Sequence, residues 1–555
     1  MSALHDTAKS RAFIWMLAIG FCLLWLYGLD ARVLVPTDEG RYAEMAREMF
    51  STGDWITTRL NGIKYFEKPP LQIWMTALTF KLFGLGEWQA RLWTGLCGLI
   101  GVAAVAYTGR KVFGQRVGFD AALVLGSCVL WAMLGHINTL DMGLSAMMTL
   151  ALCGLLVAQR DAASATERRN GMLVCWAGMA LAVMSKGLIG AVLPGAVLVV
   201  YTFVARDWSI WKRLHMGLGL LVFFAITTPW FVLVSLQNPE FPQFFFIHEH
   251  FQRFTSKIHH RAGPIYYFVP LLLLGMVPWL GVLAQGLWQG VRNRGTGFQA
   301  EKMLLVWAGF IFFFFSISSS KLPSYILPIF PALALLVACY LRQVSQRVLV
   351  GNAALLVVLG IIGLALLNRM PLLAKNEVDL PLYLAYMPWA AAGAAIAVCG
   401  GVLAILARRH TARSLVLIAV TGFLAGQCLM FGHDGLGRYA AGYNMVAAVK
   451  AELTPQTRLF AVNRYEQSLP FYLERTTTLV GHADEMDFGL SQQPELWIPD
   501  VEVFVKQWKE GYAGTVRDIA IMRPDTYADL KQRGVPMRVI GSDPRRVIVS
   551  NQPHP

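Results

Sequence analysis

Long apolar runs dominate this sequence and decide what it can fold into. Thirteen stretches have roughly the 17 to 25 residues that a helix needs to cross a hydrocarbon layer. Their limits lie near 11–29, 88–108, 118–136, 139–158, 171–186, 188–205, 214–236, 265–289, 303–319, 323–341, 347–367, 386–407 and 413–431. With 56% of 555 residues hydrophobic and 15% charged, water would face more apolar surface than one core could hide. The sequence predicts a polytopic α-helical membrane protein over residues 1–431 and a separate polar unit over 432–555.

The formal charge of +14 does not point to nucleic acid, because the cations sit in short clusters between apolar runs. The loops carrying Arg110, Lys111 and Arg116, then Arg160, Arg168 and Arg169, then Arg206, Lys212 and Arg213, all fall on one side if the N-terminus is cytoplasmic. So do those carrying Arg292 and Arg294, Arg342 and Arg347, and Arg408, Arg409 and Arg413. That leaves the loops 30–87 and 237–264, and the polar unit, on the outer side. The first run, Phe13–Leu29, follows Lys9 and Arg11, is long enough to span and precedes no convincing A-x-A site, so it reads as an uncleaved anchor. All eight cysteines lie in apolar segments, which suggests neither a disulfide framework nor a thiolate metal site.

The outer loop from Pro36 to Pro70, PTDEGRYAEMAREMFSTGDWITTRLNGIKYFEKPP, is dense in ionisable groups in a chain poor in them, which marks it for chemistry. Glu39–Phe50 has helical spacing with Tyr42, Ala43, Ala46 and Phe50 on one side, and predicts a helix along the membrane interface. Leu71–Phe83 predicts a second one, too short to span and containing Lys81. Asp38 and Glu39 read either as a solvated helix start capped by Thr37 or as a carboxylate that takes a proton or orients a substrate. Arg41 and Tyr42 favour the second reading by adding phosphate-binding and ring-contact groups one turn away. Glu67 and Lys68, before Pro69 and Pro70, are a surface pair on a stiff turn, or a phosphate-binding Lys68 beside a Glu67 that ligates a metal or positions a substrate.

Three further places carry polar groups. Phe246–Pro264 holds His248, His250, Arg253, Lys257, His259, His260 and Arg261 and reads as a basic loop touching anionic headgroups. One of its histidines could join Glu67 at a metal, since His248 and His250 would not share a helix face. Lys186 and Lys321 lie at outer turns, where snorkelling explains each. With Lys68 and Arg253 they could also converge on one phosphate or pyrophosphate, and Asp141 either caps its span or faces that cavity. Beyond Gly432, β-favouring runs at Leu459–Val462, Thr477–Val480, Val516–Met522 and Val547–Ser550 alternate with helical patterns at Val501–Trp508 and Asp525–Lys531. This predicts a small α/β domain without a nucleotide-binding glycine loop.

The motifs TDEGRYAEMAREM, YFEKPPL, SKG and SKLPSYILPIFPALAL resemble the GT-C glycosyltransferases related to protein O-mannosyltransferases, and most of all the 4-amino-4-deoxy-L-arabinose transferases of lipid A. The resemblance covers nearly the whole chain, including the spans and the outer C-terminal domain. It implies a multi-pass inner-membrane enzyme of a Gram-negative bacterium, acting as a monomer. Such an enzyme moves aminoarabinose from undecaprenyl phosphate to a lipid A phosphate on the periplasmic face and confers resistance to polymyxin. By motif, Asp38 takes the place of the catalytic acid, with Glu67 and Lys68 beside it, and Arg41, Lys68 and Arg253 bind the carrier phosphate. Tyr42, Tyr65, Asp141, Lys186, Lys321 and Tyr325 complete the implied substrate site, and Glu67 with His248 matches a zinc or magnesium site. No nucleotide cofactor is implied. Transfer of another polyprenyl-phosphate-linked sugar (a hexose, galactosamine or mannose) to lipid A, glycan or protein is the alternative within the class. Flipping of a lipid-linked sugar is the alternative outside it.

Overall fold

The computed structural model describes residues 2–252, 263–292, 297–512, 514 and 516–553. Among these, nine helices are long and apolar enough to cross a membrane, or ten if one bent pair counts as a single span. The helices follow the predicted runs in order, and the differences in number have specific causes. Run 118–136 is two helices, Gln115–Ser127 and Val129–Leu134, because Cys128 leaves helical geometry and the Val129 N–H donates to the Val277 carbonyl at 3.0 Å instead. Run 265–289 is also not one rod: Phe268–Gly275 and Leu280–Arg292 meet at 106°, with Pro278, which has no N–H to donate, at the corner. Ile189–Ala205 has only 17 residues.

Leu140–Gln159 is the centre of the bundle, and it packs closely on Ala165–Lys186. At Gly178 an added Cβ would lie 2.6 Å from the Ala151 N, so only glycine allows this approach. The helix therefore presents its first turn, with Asp141, from a rigid and buried element.

The outer loop folds as the helix Asp38–Thr52, a tight hairpin of β1 (Arg59–Leu60) and β2 (Ile63–Lys64), and the helix Leu71–Phe83. Asn61 and Gly62 both take positive φ, 58° and 77°, as a two-residue hairpin turn requires. Glu48 holds that turn: its carboxylate accepts from the Asn61 N–H at 2.5 Å and the Gly62 N–H at 2.7 Å.

The C-terminal domain is a six-stranded sheet of β3 (Arg458–Val462), β4 (Thr478–Val480), β5 (Trp497–Ile498), β6 (Asp518–Met522), β7 (Arg538–Asp543) and β8 (Arg546–Ser550), in the order β5-β4-β3-β6-β8-β7. Strands β3 to β6 run parallel, and β8 is antiparallel to β6 and β7. The predicted helices are present as Val501–Glu510 and Pro524–Gln532.

This domain grips the outer loop. Val33, Tyr42, Met45, Leu60 and Tyr65 share one apolar cluster with Leu469, Phe471, Leu479 and Ile548. Asn61 Nδ2 donates to the Thr477 carbonyl at 2.6 Å, and the Thr477 N–H donates back to Asn61 Oδ1 at 2.7 Å. The Lys64 N–H donates to Gln493 Oε1 at 2.9 Å, and the Leu34 N–H to the Tyr472 hydroxyl at 2.7 Å. The helix Asp38–Thr52 consequently differs from the interfacial helix expected: every residue from Glu39 to Met49 is buried, because the polar side predicted to face water is covered.

Candidate active site

The first turn of Asp38–Thr52 separates two adjacent acids into different roles. Glu39, 1% exposed, accepts from Arg32 Nη1 at 2.7 Å and Arg91 Nε at 2.7 Å, and from the N–H groups of Val35 and Asn138 at 3.1 and 2.9 Å. Burial alone would raise its carboxyl, but the two guanidinium groups and these hydrogen bonds hold it well below the usual carboxylate range. Glu39 is thus the anchor of the helix. Asp38 turns the other way, its side chain 41% exposed, with Arg41 Nη1 3.7 Å from Oδ1. Thr37 is the residue before the helix, but its side chain makes no capping hydrogen bond, in contrast to the expectation.

Arg41 Nη2 donates to Glu485 of the C-terminal domain at 2.7 Å, and the Tyr65 hydroxyl donates to the same carboxylate at 3.0 Å. The guanidinium lies 6.0 Å from the Tyr65 ring centre, and its Nε, though buried, has no partner among the described residues. Burial works against the Arg41 charge, but the carboxylates of Glu485 and Asp38 keep it firmly protonated. The Tyr42 phenol, pushed well above its ordinary value by burial, also feels the charges of Asp38, Arg41, Glu67 and Asp141. Tyr65 is likewise raised by burial and then by Glu67. Both phenols remain protonated donors.

A second group closes the site from the bundle. Asp141 Oδ1 accepts a very short hydrogen bond from Lys186 Nζ, and Oδ2 accepts from Ser324 Oγ at 2.9 Å. Lys186 Nζ sits 4.6 Å from the Tyr325 ring centre, and the Asp38 charge reaches it. Asp141 is not the residue before its helix, which is Thr139; it lies in the first turn and pairs with Lys186. Asp38, Arg41, Tyr42, Tyr65, Asp141, Lys186 and Tyr325 thus form one neighbourhood. Glu67 belongs to it by its charge, and Lys68 Nζ donates to the Glu67 carbonyl at 2.8 Å and lies 3.9 Å from its Oε2.

Two other expected members make contacts of their own. Lys321 Nζ donates to the carbonyls of Ser316 and Ser318 at 2.9 and 2.5 Å, so it locks its own turn, and no contact to the other cations is present among the described residues. His248 stacks on Phe244, 5.1 Å between ring centres, and Phe244 stacks on Phe488 of the C-terminal domain. Among the described residues no group of three or more His, Cys, Asp or Glu is placed to hold a metal, so Glu67 and His248 supply at most two ligands. Arg253 lies outside the described residues, as do Lys257, His259, His260 and Arg261. Sequence reasoning missed Glu485 and Ser324. Ser324 lay inside the motif SKLPSYILP, whereas nothing in GHADEMDFG marked Glu485.

Residues 445–551 match the family described as the aminoarabinose transferase C-terminal domain, and residues 67–233 match that described as dolichyl-phosphate-mannose-protein mannosyltransferase. The crystal structure of ArnT from Cupriavidus metallidurans bound to undecaprenyl phosphate is similar with a TM-score of 0.93 and 41% identity, covering 98% of each chain. Its apo state gives 0.92. An undecaprenyl phosphate-alpha-4-amino-4-deoxy-L-arabinose arabinosyl transferase of Erwinia tasmaniensis is 30% identical over 413 residues, 71% of this chain and 73% of that protein. One of Edwardsiella ictaluri is 32% identical over 339 residues, and this chain spans 61% of its length.

Proposed function

Because the chain belongs to the aminoarabinose transferase family and is a glycosyltransferase of GT-C type, we propose that it transfers 4-amino-4-deoxy-L-arabinose from undecaprenyl phosphate to a lipid A phosphate. The transfer takes place at the periplasmic face of the inner membrane, by a monomer, and the modified lipopolysaccharide confers resistance to polymyxin. The observation that carries this reading is the gathering of Asp38, Arg41, Tyr42, Tyr65, Asp141, Lys186 and Tyr325 beside the ends of apolar helices.

The donor's polyprenyl tail lies among the helices and its phosphate among the cations. An acceptor phosphate oxygen attacks the anomeric carbon, the bond from that carbon to the carrier phosphate oxygen breaks, and its electron pair leaves with undecaprenyl phosphate. No proton has to be removed from an acceptor that is already an anion. Arg41, Lys68 and Arg253 neutralise the leaving phosphate where water is scarce, and the protonated phenols of Tyr42 and Tyr65 can donate to phosphate or sugar oxygens. Asp38, exposed to the site, orients the acceptor through its cationic neighbours or takes the sugar ammonium. Asp141 keeps Lys186 aimed inward between turnovers. Glu67 and His248 are the pair that would hold a divalent ion.

Displacement at one face inverts the anomeric configuration. Reconstitution with defined donor and lipid A, with mass spectrometry and NMR of the product, tests all of this. Aminoarabinosyl lipid A of inverted configuration is expected. Another sugar product, retained configuration, or lipid movement with no product would refute it.

A further inference from the structure

At the end of the bundle away from this site, three helices converge on a second feature. An open surface cleft of about 410 Å³ is lined by the exposed Arg116, Arg342, His410 and Arg413, with Leu341 and Val344 as an apolar wall. Arg116 opens the helix Gln115–Ser127, Arg342 closes Phe330–Leu341, and Arg413 lies in the first turn of Thr411–Gly432, whose preceding residue, His410, makes no capping hydrogen bond. The first-turn N–H groups of that last helix therefore add partial positive charge to the same space.

Countercharge is scarce there. Arg116 lies 3.6 Å from Asp120, whose Oδ2 has no hydrogen-bond partner among the described residues. Arg342 reaches only the Phe113 carbonyl, at 3.5 Å, and neither Arg342 nor Arg413 makes an ion pair among the described residues. Three guanidinium groups around a space of this size, with one apolar side open to the helix ends, make a receptor for a tetrahedral dianion or monoanion, because each guanidinium can present two parallel N–H groups to it.

We propose that this cleft binds a phosphate group, as the headgroup of an anionic phospholipid or as a soluble phosphate compound. The site is separate from the sugar-transfer site, yet mechanically tied to it: Pro323–Leu341 begins beside Asp141 and Lys186 with Ser324 and Tyr325 and ends at the cleft. Its seven 3-10 residues, at about 2.0 Å each, and twelve α-helical residues, at about 1.5 Å each, put the two sites about 32 Å apart along that span.

Native mass spectrometry of the delipidated full chain tests this with three probes: phosphatidylglycerol, phosphatidylethanolamine and inorganic phosphate. Retention of one phosphatidylglycerol at least tenfold more often than phosphatidylethanolamine, unaffected by millimolar phosphate, assigns a lipid headgroup. Binding of inorganic phosphate that displaces phosphatidylglycerol assigns a general phosphate site. Either must fall at least tenfold in an Arg342→Gln/Arg413→Gln double variant and return in Arg342→Lys/Arg413→Lys, which keeps the charge and controls for folding. Equal retention of both lipids with no phosphate bound, or binding unchanged in the glutamine variant, would overturn the proposal.

Discussion

Replacing Glu39 by glutamine removes one negative charge where nothing nearby can replace it. The carboxylate accepts from four guanidinium N–H groups of Arg32 and Arg91 at 2.7 to 3.3 Å and from the N–H groups of Val35 and Asn138. Glutamine keeps the shape, but its NH2 must face guanidinium N–H groups, and Arg91, 0% exposed, loses its countercharge. Breaking a buried ion pair from one side costs about 3–5 kcal/mol, and we expect Glu39→Gln to lose that much stability at pH 7.

The pH dependence supplies a second, signed measurement. The folded carboxyl titrates well below its ordinary value of 4.5, so its stabilisation is fully present above about pH 4.5. It is lost as pH falls towards the folded value, at about 1.4 kcal/mol per pH unit. The stability gap between wild type and variant therefore shrinks by roughly 2 kcal/mol between pH 4.5 and 3. Reversible unfolding in mixed detergent micelles, followed by tryptophan fluorescence at several pH values, reads both numbers. Sugar transfer should fall too, because the same helix turn carries Asp38 and Arg41. A loss below about 1 kcal/mol at pH 7, or a gap constant from pH 4.5 to 3, would refute the anchoring role.

Asp38→Asn should leave folding intact and lower kcat about 10²- to 10³-fold, measured by product formation in vesicles, since it removes one charge facing the reacting groups. Lys186→Met and Asp141→Asn should each impair transfer, but the double variant by much less than the product of the two. Strict multiplicativity of the rate losses would deny their coupling. Gly40→Ala should loosen the C-terminal domain, because an added Cβ would lie 2.4 Å from Ser468 Oγ and 2.6 Å from the Gln467 carbonyl oxygen. Faster limited proteolysis near residues 433–445, with lower transfer, is expected, and an unchanged digestion pattern would contradict the close approach.

What was legible in the sequence follows from which interactions are local. Strands β3, β4, β6 and β8 are legible because β-branched and apolar residues cluster between turn signals, while β5 has only two residues and β7 carries an irregular register between Val539 and Gly541. The helix at Asp38 is legible from its acids and spacing. Its burial on all sides is not, since the covering surface lies more than 400 residues further on. For the same reason Glu485 could not be found from the chain order, although Arg41 and Tyr65 could. The break at Cys128 depends on a carbonyl contributed by a distant segment, and Pro278 sits within an apolar run whose composition it hardly changes, so composition reads each run as one rod. Lys321 has the position expected of a phosphate-binding cation, but two carbonyls one turn away satisfy its ammonium first.

The clasp between Asn61 and Thr477, and between Arg41 and Glu485, also bears on how the protein is made. The loop that follows the first hydrophobic segment emerges early in synthesis, yet the groups that hold it in shape are among the last to leave the ribosome. Until then a chain with every helix inserted would carry an unfinished pocket, and a stop codon shortly after residue 433 would yield a well-anchored protein whose outer loop keeps its Glu39 anchor but loses the cover of the last domain.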